Sequence, residues 1–232
     1  FKHLDVSLRN STGHAPSTAL TLAQTTLRGF VLFYTPENGH GLPHNPFNAL
    51  ITPRPIGWIS TRDAQGHDNL SPYSFFNGAA YFPPQVMFSS TGFKEDVGDT
   101  KDNVANIRET GVFCVNVCEV SQKDAMNLSS ATLPREVDEF AHADVAKAEC
   151  SEIACARIAD APASMECRMT QIIKLEGTNN FAVFGEVVGI HLRDDCIVDG
   201  KFDATKYVPL ARMGYRDYTA VQEVFELIRP DD

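Results

Sequence analysis

The stretch PRPIGWISTRDAQGHDNLSPYSFFNG, residues 53–78, decides the fold. Ile56–Thr61 is rich in β-formers, Asp63-Ala64-Gln65-Gly66 has the composition of a hairpin loop, and Asn69–Ser74 reads as the returning strand. Working outward, Pro83-Pro84 stops one segment and Val86–Ser90 opens the next strand. Val112–Val117 is a continuous apolar run, as in a strand buried on both faces. Met165, Cys167 and Met169 alternate with Glu166, Arg168 and Thr170, the period of two of a half-buried strand. Thr178-Asn179-Asn180 separates that strand from a long one, Phe181–Leu192, and Asp199-Gly200 marks a further hairpin. Helices are few. Thr100–Glu109 carries Val104 and Ile107 and stops at Gly111, and Ser121 with Asp124 reads as an N-cap opening a helix through Met126 and Leu128. Residues 134–162 lean acidic without a period and read as an excursion from the sheet. Short strands at close spacing with few helices predict a mainly β, antiparallel barrel rather than a βαβ fold.

The 232 residues, 43% hydrophobic and 22% charged, have globular composition and suffice for a core without staples. The net charge of −10, with no cluster of Lys and Arg, argues against nucleic acid or an anionic membrane as partner. No apolar run reaches the roughly 20 residues of a membrane helix, so a soluble protein is expected. Residues 1–32 stand apart: the first 30 hold eight Ser/Thr and one acid, Asp5. They read as an N-terminal extension, an added or misassigned start, which packs either as a helix over Leu20–Leu27 or as an arm on a partner subunit. Residues 33–232 form the domain. The six cysteines show no C-x-x-C pair and no His at zinc spacing, and read as buried, reduced thiols of a cytoplasmic protein.

Much chemistry is missing. There is no G-x-G-x-x-G, G-x-x-x-x-G-K-[ST], G-x-S-x-G or H-E-x-x-H motif, and Pro43 between His40 and His44 spoils a metal-binding helix face. No acid–base or nucleophile constellation stands out, so no catalytic side chain and no metal site are assigned. That points to a cofactor that brings its own chemistry.

Three segments have the makings of one pocket. In the first, Pro53 and Pro55 fix the backbone around Arg54, and a strand then carries Trp58, Ser60 and Thr61. The second, Ser71-Pro72-Tyr73-Ser74 through Asn77, offers hydroxyl, aromatic and amide groups, which suit a flat heteroaromatic ligand. The third runs from Ser89 and Ser90 to Lys101 and Asp102 at a helix start, where free amides, the dipole and a lysine favour a phosphate. Each has an ordinary alternative: Trp58 as core, Asp102 as a helix starter, Lys101 as a solvated charge.

PRPIGWIST (53–61), NLSPYSFFNG (69–78), PPQVMFSS (83–90) and KDNVANI (101–107) before a GVFCVNV strand resemble the flavin reductase-like, FMN-binding split-barrel family, which includes flavoredoxins and nitrilotriacetate monooxygenase component B. LARMGYRDY resembles the family's ending, through Arg212, Gly214 and Tyr218. Asn103 stands where the family usually has Thr, which removes a hydroxyl from the phosphate side. The resemblance implies a Greek-key split barrel with a few short helices, working as a homodimer with FMN near the interface. It implies hydride transfer from NADH or NADPH to flavin N5, and a possible partner oxygenase. It assigns Ser60, Thr61, Ser89, Ser90 and Lys101 to the phosphate and ribityl chain. Ser71 to Ser74, with Asn77, fall to the ring edge, and Arg54 and Trp58 shape the pocket; Asp102 and Arg212 complete the set. The alternative within the same fold is an FMN-binding electron carrier or sensor of the flavoredoxin type that does not turn over.

Overall fold

The computed structural model describes residues 31–94 and 100–230. The chain divides into two compact units, Phe1–Asn45 and Pro46–Asp232. The expectations for residues 1–30, the helix over Leu20–Leu27 included, lie outside the described residues. In the first unit, residues 31–45 contain a turn in which the Asn38 N–H donates to the Thr35 carbonyl at 3.0 Å.

The second unit opens with a single helical turn, α1 (Phe47–Leu50), and then alternates strands with short helices. The strands are β1 (Arg54–Pro55), β2 (Gly57–Arg62), β3 (Asp68–Tyr73), β4 (Phe76–Ala80), β5 (Gln85–Thr91) and β6 (Val112–Val117). They continue with β7 (Lys147–Glu149), β8 (Ala156–Ile158), β9 (Ala163–Lys174), β10 (Asn180–Leu192), β11 (Ile197–Val198), β12 (Lys201–Phe202), β13 (Leu210–Arg212) and β14 (Tyr218–Ala220). The helices are α2 (Asp102–Thr110), α3 (Lys123–Leu128) and α4 (Glu139–His142).

Seven strands pair antiparallel in the order β3-β2-β6-β9-β10-β5-β4. The strands at the two ends of that order, β3 and β4, are consecutive in the chain and joined only by Ser74 and Phe75. A flat sheet cannot satisfy this, so the sheet curls until its edges meet at the joint. Tyr73 of β3 accordingly lies 4.7 Å, ring to ring, from Phe88 of β5. Curvature is helped where Gly185 sits beside a register shift in the β9–β10 pair. A Cβ there would stand 2.5 Å from the Phe113 ring, so only glycine lets that ring lie against the strand.

The barrel interior holds Ile59, Phe88, Phe113, Val115 and Val183, and is covered by Val104 and Ile107 of α2. That helix ends as its sequence requires: Gly111 takes the left-handed conformation at φ 74° and its N–H returns to the Ile107 carbonyl at 2.9 Å. A second core lies on the other side of β2, where Trp58 and Leu70 pack with Met126, Phe140 and Ile158. Strand β2 is therefore buried on both faces. Each fully buried large side chain of this kind stabilises the fold by about 1.5–3 kcal/mol.

The acidic stretch 134–162 is an excursion: it supplies α4 and the separate two-stranded sheet β7–β8. Asp199-Gly200 does make the β11–β12 hairpin, with positive φ at both residues. Two expectations are corrected. Ser121 does not cap a helix; Glu119 and Gln122 form a capping box around a single 3₁₀ turn, and α3 starts at Lys123. The run 71–78 is not one segment, because Ser74-Phe75 breaks it and Phe76 begins the edge strand β4. Among the described residues no helix is long and apolar enough to cross a membrane.

Candidate anion and cofactor pocket

A small three-stranded sheet, β1-β13-β14, sets Arg54 of β1 directly opposite Arg212 of β13. Like charges in facing positions of an antiparallel pair repel. The sequence nevertheless builds the pair firmly. The Arg54 guanidinium is buried, donates to the Asn48 and Ile51 carbonyls at 2.5 and 2.6 Å, and lies 5.6 Å over the Phe75 ring. Its Nε is buried with no protein acceptor. Arg212 donates to the Tyr218 hydroxyl and the Tyr215 carbonyl.

Both arginines line an open pocket of about 240 Å³ at the seam where β3 gives way to β4. Lys101 enters from the start of α2, and Ser74, Ser89 and Thr91 add hydroxyls; Asn48, Pro72, Tyr73, Phe75 and Tyr215 complete the wall. Among the described residues no carboxylate lines it. Three cations thus converge in a protein of net charge −10. The electrostatic strain shows in their proton affinities: burial, then the field of Arg212, pushes Arg54 below its usual value, and burial pushes Lys101 down. A group of cations of which one, Arg54, is buried with an unpaired N–H fits a phosphate monoester, whose oxygens would satisfy the donors and offset the repulsion. Tyr73, by contrast, is pushed up to about 12 by burial and keeps its proton.

A second, adjoining pocket shares Tyr73 and Lys101 and is lined also by Ser71, Asn69, Asp102 and Glu139. Lys94 closes it, donating to Asp102 at 2.5 Å and to the Leu133 carbonyl at 2.6 Å. Glu139 accepts from Asn69 Nδ2 at 2.9 Å and the Leu70 N–H at 3.2 Å, and burial pushes its carboxyl up to about 7.

The structure brings Arg54, Pro72, Tyr73, Ser74, Ser89, Lys101 and Arg212 together in the cationic pocket. Ser71 and Asp102 fall in the adjoining one. The others lie elsewhere. Trp58 donates to Ser129 Oγ at 2.9 Å in the second core, and Ser60 donates to the Ala156 carbonyl at 2.7 Å. Thr61 donates to Asn103 Oδ1 at 2.7 Å, and Asn103 lines the adjoining pocket and not the cationic one. Ser90 is fully buried, because alternation along β5 sends Ser89 and Thr91 to one face and Ser90 to the other. Asn77 is exposed on β4 and accepts from the Gly78 N–H. Sequence reasoning missed Asn48, Thr91 and Tyr215 as lining residues, and held Phe75 only as part of the second segment, without a role of its own. Thr91 was findable as the next member of the Ser89 face, and Tyr215 from its place beside Arg212; Asn48, working through its backbone, gave no signal.

Residues 49–210 match the family described as flavin reductase like domain. A protein of Deinococcus radiodurans is 35% identical over 189 residues, covering 78% of this chain and 82% of the relative. Nitrilotriacetate monooxygenase component B from Bacillus cereus superposes with a TM-score of 0.78 at 28% identity, over 86% of this chain and 100% of that one. A split-barrel-domain protein from Shewanella frigidimarina gives a TM-score of 0.74 at 19% identity, over 87% and 100% of the two chains. This last likeness bears on the fold alone, and identifies the curled sheet as a split barrel.

Proposed function

The chain belongs to the flavin reductase-like family of flavin-linked oxidoreductases, and on that premise we propose that it holds FMN in the cationic pocket and reduces it with NADH or NADPH. The observation that carries the proposal is the Arg54–Arg212 pair with Lys101, a set of cations with no carboxylate among the described residues of the lining. In this reading Arg54, Lys101 and Arg212 bind the FMN phosphate, and Ser74, Ser89 and Thr91 hold the phosphate and ribityl oxygens. Pro72, Tyr73 and Phe75 supply apolar surface for the flat ring. Bound flavin supplies the redox chemistry, accepting hydride at N5. The chain's own contribution is binding and orientation: the described lining residues include no carboxylate or histidine to trade protons near neutral pH.

Exposed aromatic and aliphatic side chains support a homodimer. Tyr81 and Phe82 at the β4–β5 turn are 80% and 88% exposed, and Phe225 and Leu227 near the C-terminus are 83% and 81% exposed. Apolar groups left so open on a single chain mark surfaces for association. The likeness to a monooxygenase component B supports delivery of reduced flavin to a partner oxygenase.

The test is anaerobic mixing of the FMN-loaded protein with NADH or with NADPH while the flavin's visible band is followed. The proposal expects bleaching much faster than for free FMN, with one donor preferred. Bound flavin that neither donor bleaches would make the protein a carrier or sensor.

A further inference from the structure

Three cysteines outside the pocket meet in one cluster. Cys114 on β6 and Cys155 ahead of β8 are fully buried and pack with Ile153, and Cys150, just past β7, packs against them while half-buried. The β7–β8 register runs Lys147↔Ile158, Ala148↔Arg157, Glu149↔Ala156, so its next step sets Cys150 opposite Cys155. The Cys150 N–H donates to the Cys155 carbonyl at 3.0 Å, which extends the ladder to this pair. Facing residues of an antiparallel ladder place their Cα atoms about 4.5–5.5 Å apart, within the roughly 4.4–6.8 Å that a disulfide spans. The turn between them is pinned: the fully buried Glu166 carboxylate accepts the N–H groups of Ser151, Glu152 and Ile153 at 2.7, 2.6 and 3.1 Å, and is itself paired with His191 Nε2 at 2.5 Å. All three thiols are free.

We propose that Cys150 and Cys155 form a peroxide-oxidisable dithiol, a modification site separate from the flavin pocket and independent of the flavin reading. Cys150 is the attacking group because it is the member open to solvent. The neighbouring Cys114 and Cys155 thiols push its proton affinity down, while those two thiols are themselves pushed up. The Cys150 thiolate attacks one oxygen of hydrogen peroxide, the O–O bond breaks, and the departing hydroxide takes a proton to leave as water. Cys150 is then a sulfenic acid. The Cys155 sulfur gives up its proton and attacks the Cys150 sulfur, the S–O bond breaks, and a second water leaves. Two thiols are oxidised to one disulfide, and one hydrogen peroxide is reduced to two waters.

The test uses the reduced full chain, treated with hydrogen peroxide, alkylated, digested and mapped by mass spectrometry. The expected result is loss of two thiols per chain, a linked Cys150–Cys155 peptide, and recovery of both thiols with dithiothreitol. Cys155→Ala should leave Cys150 as a sulfenic acid that dimedone captures, and Cys155→Ser serves the same purpose if the alanine variant does not fold. Cys150→Ser should form no disulfide at the cluster. Unreacted thiols, a bridge from Cys150 to Cys114 or to a second chain, or a Cys155 disulfide surviving in Cys150→Ser would each overturn the proposal.

Discussion

Arg54 and Arg212 face each other across two short strands, and the cost of holding them there is what gives the pocket its chemistry. Lys101 adds a third charge from the helix start, so Lys101→Ala should weaken FMN binding by about 1–3 kcal/mol, read as a roughly 5- to 150-fold rise in Kd by flavin fluorescence titration. An unchanged Kd would remove Lys101 from the site. Glu139 offers a second test. Burial holds its carboxyl at about 7, against 4.5 for an ordinary glutamate. Between those values the unfolded chain gives up this proton while the folded chain keeps it. The stabilisation is therefore full below about pH 4.5 and fades as pH rises through 7, by an amount on the order of 3 kcal/mol. Urea unfolding at pH 5 and pH 8 should show that difference in the native protein and its loss in Glu139→Gln; equal pH dependence in both would count against it. At this scale the sequence was half legible. Arg54 stood out between two prolines and Lys101 at a helix start, whereas Arg212 entered only through the resemblance of LARMGYRDY to the family's ending. Trp58, Ser60 and Thr61 misled, because hydroxyls on a strand buried on both faces look the same whether they meet a ligand or the core.

Among the elements, α1 matters more than its four residues suggest. The Asn48 carbonyl within it and the Ile51 carbonyl just past it hold the Arg54 guanidinium, and Ala49 packs on Gly214 in the turn after β13. A Cβ at 214 would stand 2.5 Å from the Ala49 Cβ and 2.8 Å from its Cα. Gly214→Ala should therefore push α1 off Arg54 and weaken FMN binding several-fold, with wild-type affinity as the contrary result. The strands themselves were largely readable, since β2, β3, β5, β6, β9 and β10 announce themselves through β-branched runs, alternation and turn residues. Strand β4 did not: FNGAA lacks β-branched residues, and it forms because β5 offers it a partner across the turn around Pro83 and Pro84. The capping of α3 was misread for a related reason. Ser121 has the right side chain, but the 3₁₀ turn puts Glu119 at the capping position.

For the molecule as a whole, the order β3-β2-β6-β9-β10-β5-β4 is what makes a site. Joining the first and last strands of the sheet through Ser74 and Phe75 leaves a seam, and the cationic pocket opens at it. No local pattern in the sequence shows which strands become edges, which is why the pocket's lining could be named only in part. The β4–β5 turn leaves Tyr81 and Phe82 bare, so sedimentation at micromolar concentration should give twice the chain mass, and charged substitutions at both residues should halve it; a monomer in the native protein would contradict the dimer. The measurement that bears most directly on the central claim compares FMN with riboflavin, which differ only in the phosphate. Titrated into the same protein, FMN should bind at least about tenfold tighter, the worth of one charge-assisted contact, and Arg212→Ala should remove most of the difference. Equal affinity for the two flavins would mean that Arg54, Lys101 and Arg212 hold something other than the flavin phosphate.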